Sequence, residues 1–382
     1  MPENRKEIYL PRPKRKSDLP VGAGIPYDLS EAAELLDRNL ALGQAGMFRP
    51  IPTGLAGIDA ALGGGLHAGD LAILAGVQNI GKTAAVIQFA ASFAKSDTLV
   101  LIVEYEHNVT HVLERLLIQN SYVSGYGGQS FNQDELMEAY IETIREREAK
   151  DIRNDTSYRS FNKLLSRLPN GVIAWNRLAR IQRNIWIIQG DGAITTPDVL
   201  AAYVEMAKQY AESRRILLIV DYLQRVPVFG LQRHLTTEER VEYIFHYLKA
   251  MSLKCQDDGW VVPVLGVAAI EAEALRSGRV HMESIIGGAI TAYEPDVALI
   301  MNKDDRDPDG SPVVRWAIEK NRHGPSDLEW KHKFFGAAYS FIPEGIPVNE
   351  EDSWQRERKK TQSEISAVNM ANAVRNVLEK KE

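Results

Sequence analysis

The sequence predicts an α/β fold: a mainly parallel sheet flanked by helices and carrying a helical insertion. Two observations predict it. Apolar runs that read as buried strands recur at 71–75, 98–106, 185–190, 214–226 and 261–270, with helix-patterned segments between them. Their interiors are apolar almost throughout, as expected of strands covered by helices on both faces.

Taken in order, "DLSEAAELLDRNLALGQ" comes first. Asp28 and Glu31 form a capping box, and Leu29, Ala32, Leu36 and Leu40 follow helical spacing. Leu71–Ala75 is a strand and Thr83–Ala94 a helix; "TLVLIVEYE" is the next strand and "THVLERLLIQ" the next helix. Residues 121–184 are polar and mostly helical, broken by stretches such as "SGYGGQS". "IWIIQG" is a short strand, and Thr196-Pro197 opens a helix with a cap residue and proline at its first position. "RRILLIVDYLQRV" and "VVPVLGVAAI" are buried strands, and "DVALIMNK" and "RWAIEKNR" are expected at the sheet edge. The resulting division is a basic tail over 1–27, a linker helix within 28–46, the α/β domain over 47–345 with its insertion at about 121–184, and a charged tail over 346–382.

Composition narrows the class. The chain has 382 residues, 45% hydrophobic and 25% charged, which is ordinary for a globular protein. No apolar run is long enough to span a bilayer, and "MPENRKEIYL" is not a signal peptide, so a membrane role is not expected. Cys255 is the sole cysteine; no intrachain disulfide can form, and a cytoplasmic setting fits. A net charge of −6 argues against an all-over basic surface, but leaves room for basic loops or the "RPKRK" stretch of the tail to meet nucleic acid.

The chemistry starts at Gly76-Val77-Gln78-Asn79-Ile80-Gly81-Lys82-Thr83, which fits G-x-x-x-x-G-K-[ST] between a strand and a helix. Gly76, Gln78, Asn79, Ile80 and Gly81 would cradle phosphates with backbone N–H groups. Lys82 would reach the β- and γ-phosphates of ATP, and the Thr83 hydroxyl would bind Mg²⁺. Asp221 closes an apolar strand and supplies the second Mg²⁺ carboxylate. Glu104 and Glu106 both stand near the end of another strand; alternation places them on one face, and either could polarise the attacking water. His107 and His111 are spaced i, i+4 without a third ligand of fitting spacing, so they read as a solvated helix face. Trp175, Trp186 and Tyr158 read as a small core of the insertion.

In order along the chain, "IPTGLAGIDAALGGGLHAGDLAILAGVQNIGKTA", "VEYEHNVTHVLERLL", "LLIVDYLQRV", "GGAITAYEPDVALIM" and "IEKNRHGPSD" resemble five segments of the C-terminal motor domain of DnaB-type replicative helicases, a branch of the RecA-like ATPases. The resemblance covers roughly 28–342 and lacks the helical domain that usually precedes the motor. It implies a RecA-like core and a hexameric, ATP- and Mg²⁺-dependent motor that moves 5′→3′ on single-stranded DNA during replication, with a primase or helicase loader as possible partner. It aligns the catalytic glutamate with Glu106. It also implies that Lys320 and Arg322 reach the γ-phosphate on an adjacent subunit, and that loops carrying Arg225, Arg233, Arg276 and Arg279 line a DNA channel.

The pattern departs from the family at two places. Ala268 and Ala269 stand where a polar residue, usually glutamine, senses the γ-phosphate. Ile285 and Ile286 stand where an arginine and a glutamate precede the DNA-contacting loop. Alanine cannot hydrogen-bond phosphate, and isoleucine cannot pair with a DNA backbone. The sequence therefore supports two readings: a translocating helicase, and a nucleotide-switched scaffold, loader or regulator built on the same ATPase.

Overall fold

The computed structural model describes residues 27–41, 45–122, 129–150, 159–229, 235–271, 273–274 and 278–348. The basic stretch Arg12–Lys16, Tyr158, Arg233, Arg276 and nearly all of the charged tail lie outside them. The chain falls into two units, the first ending at Ala45 and the second beginning at Gly46.

The first unit holds helix α1, Leu29–Ala41. Its capping box is formed: the Glu31 amide donates to Asp28 Oδ1 at 2.9 Å and the Asp28 amide to Glu31 Oε2 at 2.8 Å. Leu29, Leu36 and Leu40 lie along one stripe and are 90%, 50% and 59% exposed. An amphipathic helix with its apolar stripe in solvent gains none of the burial that normally holds such a helix in place.

The second unit runs α2 (Ala56–Ala61), β1 (Leu71–Gly76), α3 (Lys82–Lys95), β2 (Leu99–Glu104), α4 (Val109–Ser121), α5 (Gln133–Ala149), α6 (Ser160–Arg167), α7 (Gly171–Ala179), β3 (Ile185–Gln189) and α8 (Pro197–Ala207). It continues with β4 (Ile216–Asp221), α9 (Thr237–Asp257), β5 (Val264–Ala268), α10 (Ile290–Tyr293), β6 (Val297–Lys303), β7 (Val313–Asn321), β8 (Leu328–Phe335), β9 (Ser340–Phe341) and β10 (Ile346–Pro347). The sheet order is β10-β8-β7-β6-β1-β5-β4-β2-β3, with β9 on β8. From β6 through β3 the pairings are parallel; β7, β8 and β10 continue the sheet antiparallel. This is the RecA-like architecture the sequence predicts.

Two expectations need correction. β6 is not at the sheet edge but lies between β1 and β7, because β8 and β10 extend the sheet beyond β7. β8, "LEWKHKFF", carries too many charges to read as a strand; it is half-buried along most of its length, so those side chains reach water. β10 also carries the sheet past residue 345, the expected end of the domain.

The core lies on both faces of the sheet. On one face α3, α4 and the insertion bury Phe89, Phe93, Phe131, Leu136 and Leu165, with Trp316 from β7 and Phe341 from β9. On the other, α8 and α9 bury Leu200, Val204, Phe245 and Leu248 against β1, β2 and β4. Trp175 packs edge-on against Phe161 with centroids 5.0 Å apart, inside the insertion as expected; Trp186, on edge strand β3, packs against Tyr210 instead. The parallel strands β1, β2, β4 and β5 all present their carboxyl ends on one side, where open α/β sheets hold ligands.

Candidate active site

At that side β1 ends in Gly76. A Cβ there would stand 2.6 Å from the Met301 carbonyl oxygen, so only glycine lets the chain leave the strand alongside β6. The loop turns through Asn79 at φ 61° and Gly81 at φ 102°, conformations glycine and asparagine tolerate best. Ile80 is buried and anchors the loop in the core, so it can offer a ligand its backbone alone. Gly81 caps α3, leaving the first amides of that helix without intrahelical acceptors.

Lys82 Nζ donates to the carbonyls of Gly76 and Val77 at 2.9 and 3.1 Å. Burial lowers the Lys82 pKa, and Asp221 and Glu106 partly offset that. The Thr83 hydroxyl donates to Asp221 Oδ2 at 3.1 Å. Asp221 ends β4 directly beside Glu104, which ends β2. Burial pushes both carboxyls up, and the negative charge of Glu104 raises Asp221 further. Two buried carboxyls next to a hydroxyl, with one lysine nearby, form a site short of positive charge. A divalent cation held by Thr83 and Asp221 fits that donor set.

Glu104 and Glu106 do not share a face. The strand stops at Glu104, where its carboxylate accepts the Glu106 amide at 3.0 Å and turns the chain. Glu104 is 2% exposed, whereas Glu106 is exposed and faces the cleft. The cleft is about 620 Å³; Gly76, Gln78, Asn79, Gly81, Lys82, Thr83, Glu106 and Asp221 all line it. Its far wall holds Arg115, Phe334 and Tyr339, which the sequence reading missed. Arg115 lies over the Tyr339 ring at 5.3 Å. Nothing in the local pattern marks these three, because the fold brings them in from α4 and the β8–β9 turn. His107, read as part of a solvated helix face, also lines the cleft, and its ring stacks on His111 at 4.6 Å.

Lys320 and Arg322 stand elsewhere, at the turn after β7. Lys320 Nζ donates to the Ala292 and Tyr293 carbonyls, both at 2.7 Å, and Arg322 pairs with Asp296 at 3.0 Å. Asp296 also meets Lys249 at 2.6 Å. Arg322 is half exposed, and neither cation lines the cleft of its own chain.

The departures have visible consequences. Ala268 and Ala269 line the cleft and present only methyl groups there. Ile285 is fully buried in the core beside Ile270, with which it forms a β-bridge. Gln224, just past Asp221, accepts from the Ala269 amide at 3.0 Å and donates to the Ile286 carbonyl at 2.9 Å. Of the described candidate DNA contacts, Arg225 is exposed and bonds the Tyr222 hydroxyl at 3.0 Å. Arg279 pairs with Glu329, a carboxylate that Arg315 also holds.

Comparison with known proteins follows the same line. The family model described as the DnaB-like helicase C-terminal domain matches residues 50–341. No curated protein sequence matches the chain. Among solved structures, the fold is similar to an isolated ATPase domain with a TM-score of 0.62 at 17% identity, covering 83% of this chain and 99% of that one. It is also similar to a DnaB-like replicative helicase solved to show its interactions with primase, with a TM-score of 0.57 at 17% identity. There the match covers 77% of this chain and 63% of the other, so the present chain spans less than two thirds of that helicase.

Proposed function

The chain belongs to the DnaB-like helicase C-terminal domain family, and from that premise we propose that it is a ring-forming ATPase motor that translocates on single-stranded DNA and unwinds duplex during replication. The observation that carries this reading is a split site. Lys82, Thr83, Asp221 and Glu106 converge in one cleft, while Lys320 and Arg322 sit outside it, where only another subunit's cleft could use them.

In this reading the loop amides and Lys82 hold the β- and γ-phosphates, and Thr83 and Asp221 hold Mg²⁺, which neutralises phosphate charge when bound. Glu106 orients and deprotonates the attacking water from the cleft wall. Arg322 of a neighbouring copy stabilises the charge that develops on the γ-phosphoryl group. Hydrolysis then weakens that contact and moves subunits relative to one another. A primase or loader is a partner consistent with the family.

The exposed stripe of α1 supports assembly as a hexamer through that helix. Deleting residues 1–46 is expected to reduce the assembly to smaller species by light scattering. An unchanged oligomer would show that α1 takes no part in assembly.

A specific observation favours a second reading, a nucleotide-switched scaffold or loader: methyl groups at Ala268 and Ala269 face the cleft, and Ile285 is locked in the core. Single-stranded DNA added to the wild-type protein discriminates the two. A motor is expected to hydrolyse ATP several-fold faster with DNA and to open a forked duplex 5′→3′. Hydrolysis indifferent to DNA would discard the helicase and leave the scaffold.

A further inference from the structure

The end of β5 offers the cleft no polar side chain, so the geometry of the hydrolytic step must be set from the β2 side. There the backbone bends between Glu104 and Asn108, and one imidazole spans the bend. His107 Nδ1 lies 3.3 Å from Glu104 Oε1, and Arg115 Nη2 lies 3.3 Å from His107 Nε2. The same Glu104 oxygen accepts the Glu106 amide at 3.0 Å. Arg115 has no acceptor atom, so Nε2 must accept from it, and the proton of a neutral ring then sits on Nδ1 and points at Glu104.

We infer that His107 is a positioning residue for ATP hydrolysis: its neutral Nδ1–H tautomer ties Arg115 on α4 to Glu104 at the end of β2 and thereby fixes the bend that presents Glu106 to the cleft. This rests on the reading of the cleft as an ATPase site. The buried Arg115 Nε has no hydrogen-bond partner among the described residues, so losing the imidazole leaves this guanidinium with still fewer acceptors.

The charged and titratable groups around the ring are Glu104 from β2, Glu106 from the bend, and Arg115 and stacked His111 from α4, with Glu114 3.5 Å from His111 and Tyr339 beneath Arg115. Protonation of His107 turns Nε2 into a donor facing an arginine donor and places two cations together. Burial, then Arg115, lowers the pKa of the ring, so the working neutral form is present at neutral pH and is lost only below the ordinary imidazole range near ~6.5.

The test compares steady-state ATPase of the wild-type protein, His107→Gln and His107→Leu between pH 5.5 and 8.5. Leucine removes both hydrogen bonds and is expected to lower kcat about tenfold while KM for ATP changes less than about twofold. Glutamine keeps a donor and an acceptor without titrating; it is expected to stay within about threefold of wild type at pH 8 and to lose the acid limb that the imidazole contributes. The carboxyls of Glu104 and Asp221 titrate in all three proteins, so the comparison isolates the ring. Wild-type kcat in the leucine variant, a glutamine variant as impaired as the leucine one, or a glutamine variant with the wild-type acid limb each overturns the assignment. A second measurement is independent of activity: ¹⁵N NMR of His107 at pH 7.5 should report the Nδ1–H tautomer, and the Nε2–H tautomer overturns the proposal. Absence of any Lys82-dependent hydrolysis by the wild-type protein would instead sink the ATPase reading, a failure the NMR result does not share.

Discussion

Lys82→Ala is expected to abolish ATP hydrolysis, with kcat falling at least ~10²-fold in a phosphate-release assay. The ammonium is the only lysine nitrogen among the described residues of the cleft, sits over the Gly76 and Val77 carbonyls, and faces two buried carboxyls. Removing it leaves Asp221 and Glu104 beside the phosphates with no lysine charge to oppose them, so nucleotide binding weakens as well. Substantial turnover in the variant would remove the loop from the mechanism. Glu106→Gln separates chemistry from binding: the amide cannot take a proton from water, and turnover is expected to drop ~10²-fold or more while ATP still binds. Glu104→Gln should be the milder change, since Glu104 is buried and holds the bend without lining the cleft. If Glu104→Gln is the dead variant and Glu106→Gln is active, the base is the strand-end carboxylate.

How much of this was legible in the sequence depends on how local each feature is. The loop from Gly76 to Thr83 and the strand ending in Asp221 are contiguous patterns whose chemistry is written in a few adjacent residues, and both reach the cleft. The two glutamates were not separable, because alternation holds only while the strand continues, and it stops when Glu104 captures the Glu106 amide. β8 was invisible because a half-exposed strand near the sheet edge can carry charges that erase the apolar run. Arg115, Phe334 and Tyr339 come together only through tertiary packing: Gln119 of α4 bonds the carbonyls of both Ala84 on α3 and Tyr339, which draws the β8–β9 turn over the cleft. The departures at Ala269 and Ile285 were visible as residue types. Their meaning needed the structure, in which Gln224 ties both segments to the turn after Asp221.

Arg322→Ala, made alone, is expected to reduce hydrolysis about 10³-fold while leaving the cleft of its own chain intact, because the arginine lies outside that cleft and is released only from Asp296 and the Tyr293 carbonyl. Lys82→Ala has the complementary defect: a dead cleft and a working arginine. Mixing the two inactive proteins and allowing subunits to exchange creates interfaces where an intact loop meets an intact arginine. With random mixing such interfaces make up about a quarter of the total, and hydrolysis should recover toward that fraction of the wild-type rate. The result is specific to a site shared between copies, since two defects within one self-contained site cannot repair each other across chains. Recovery that is indifferent to single-stranded DNA would keep the ring and favour the scaffold over the helicase. No recovery, in a mixture shown by light scattering to have exchanged subunits, would sink the role of Arg322 in trans and with it the strongest reason to place this motor in a ring.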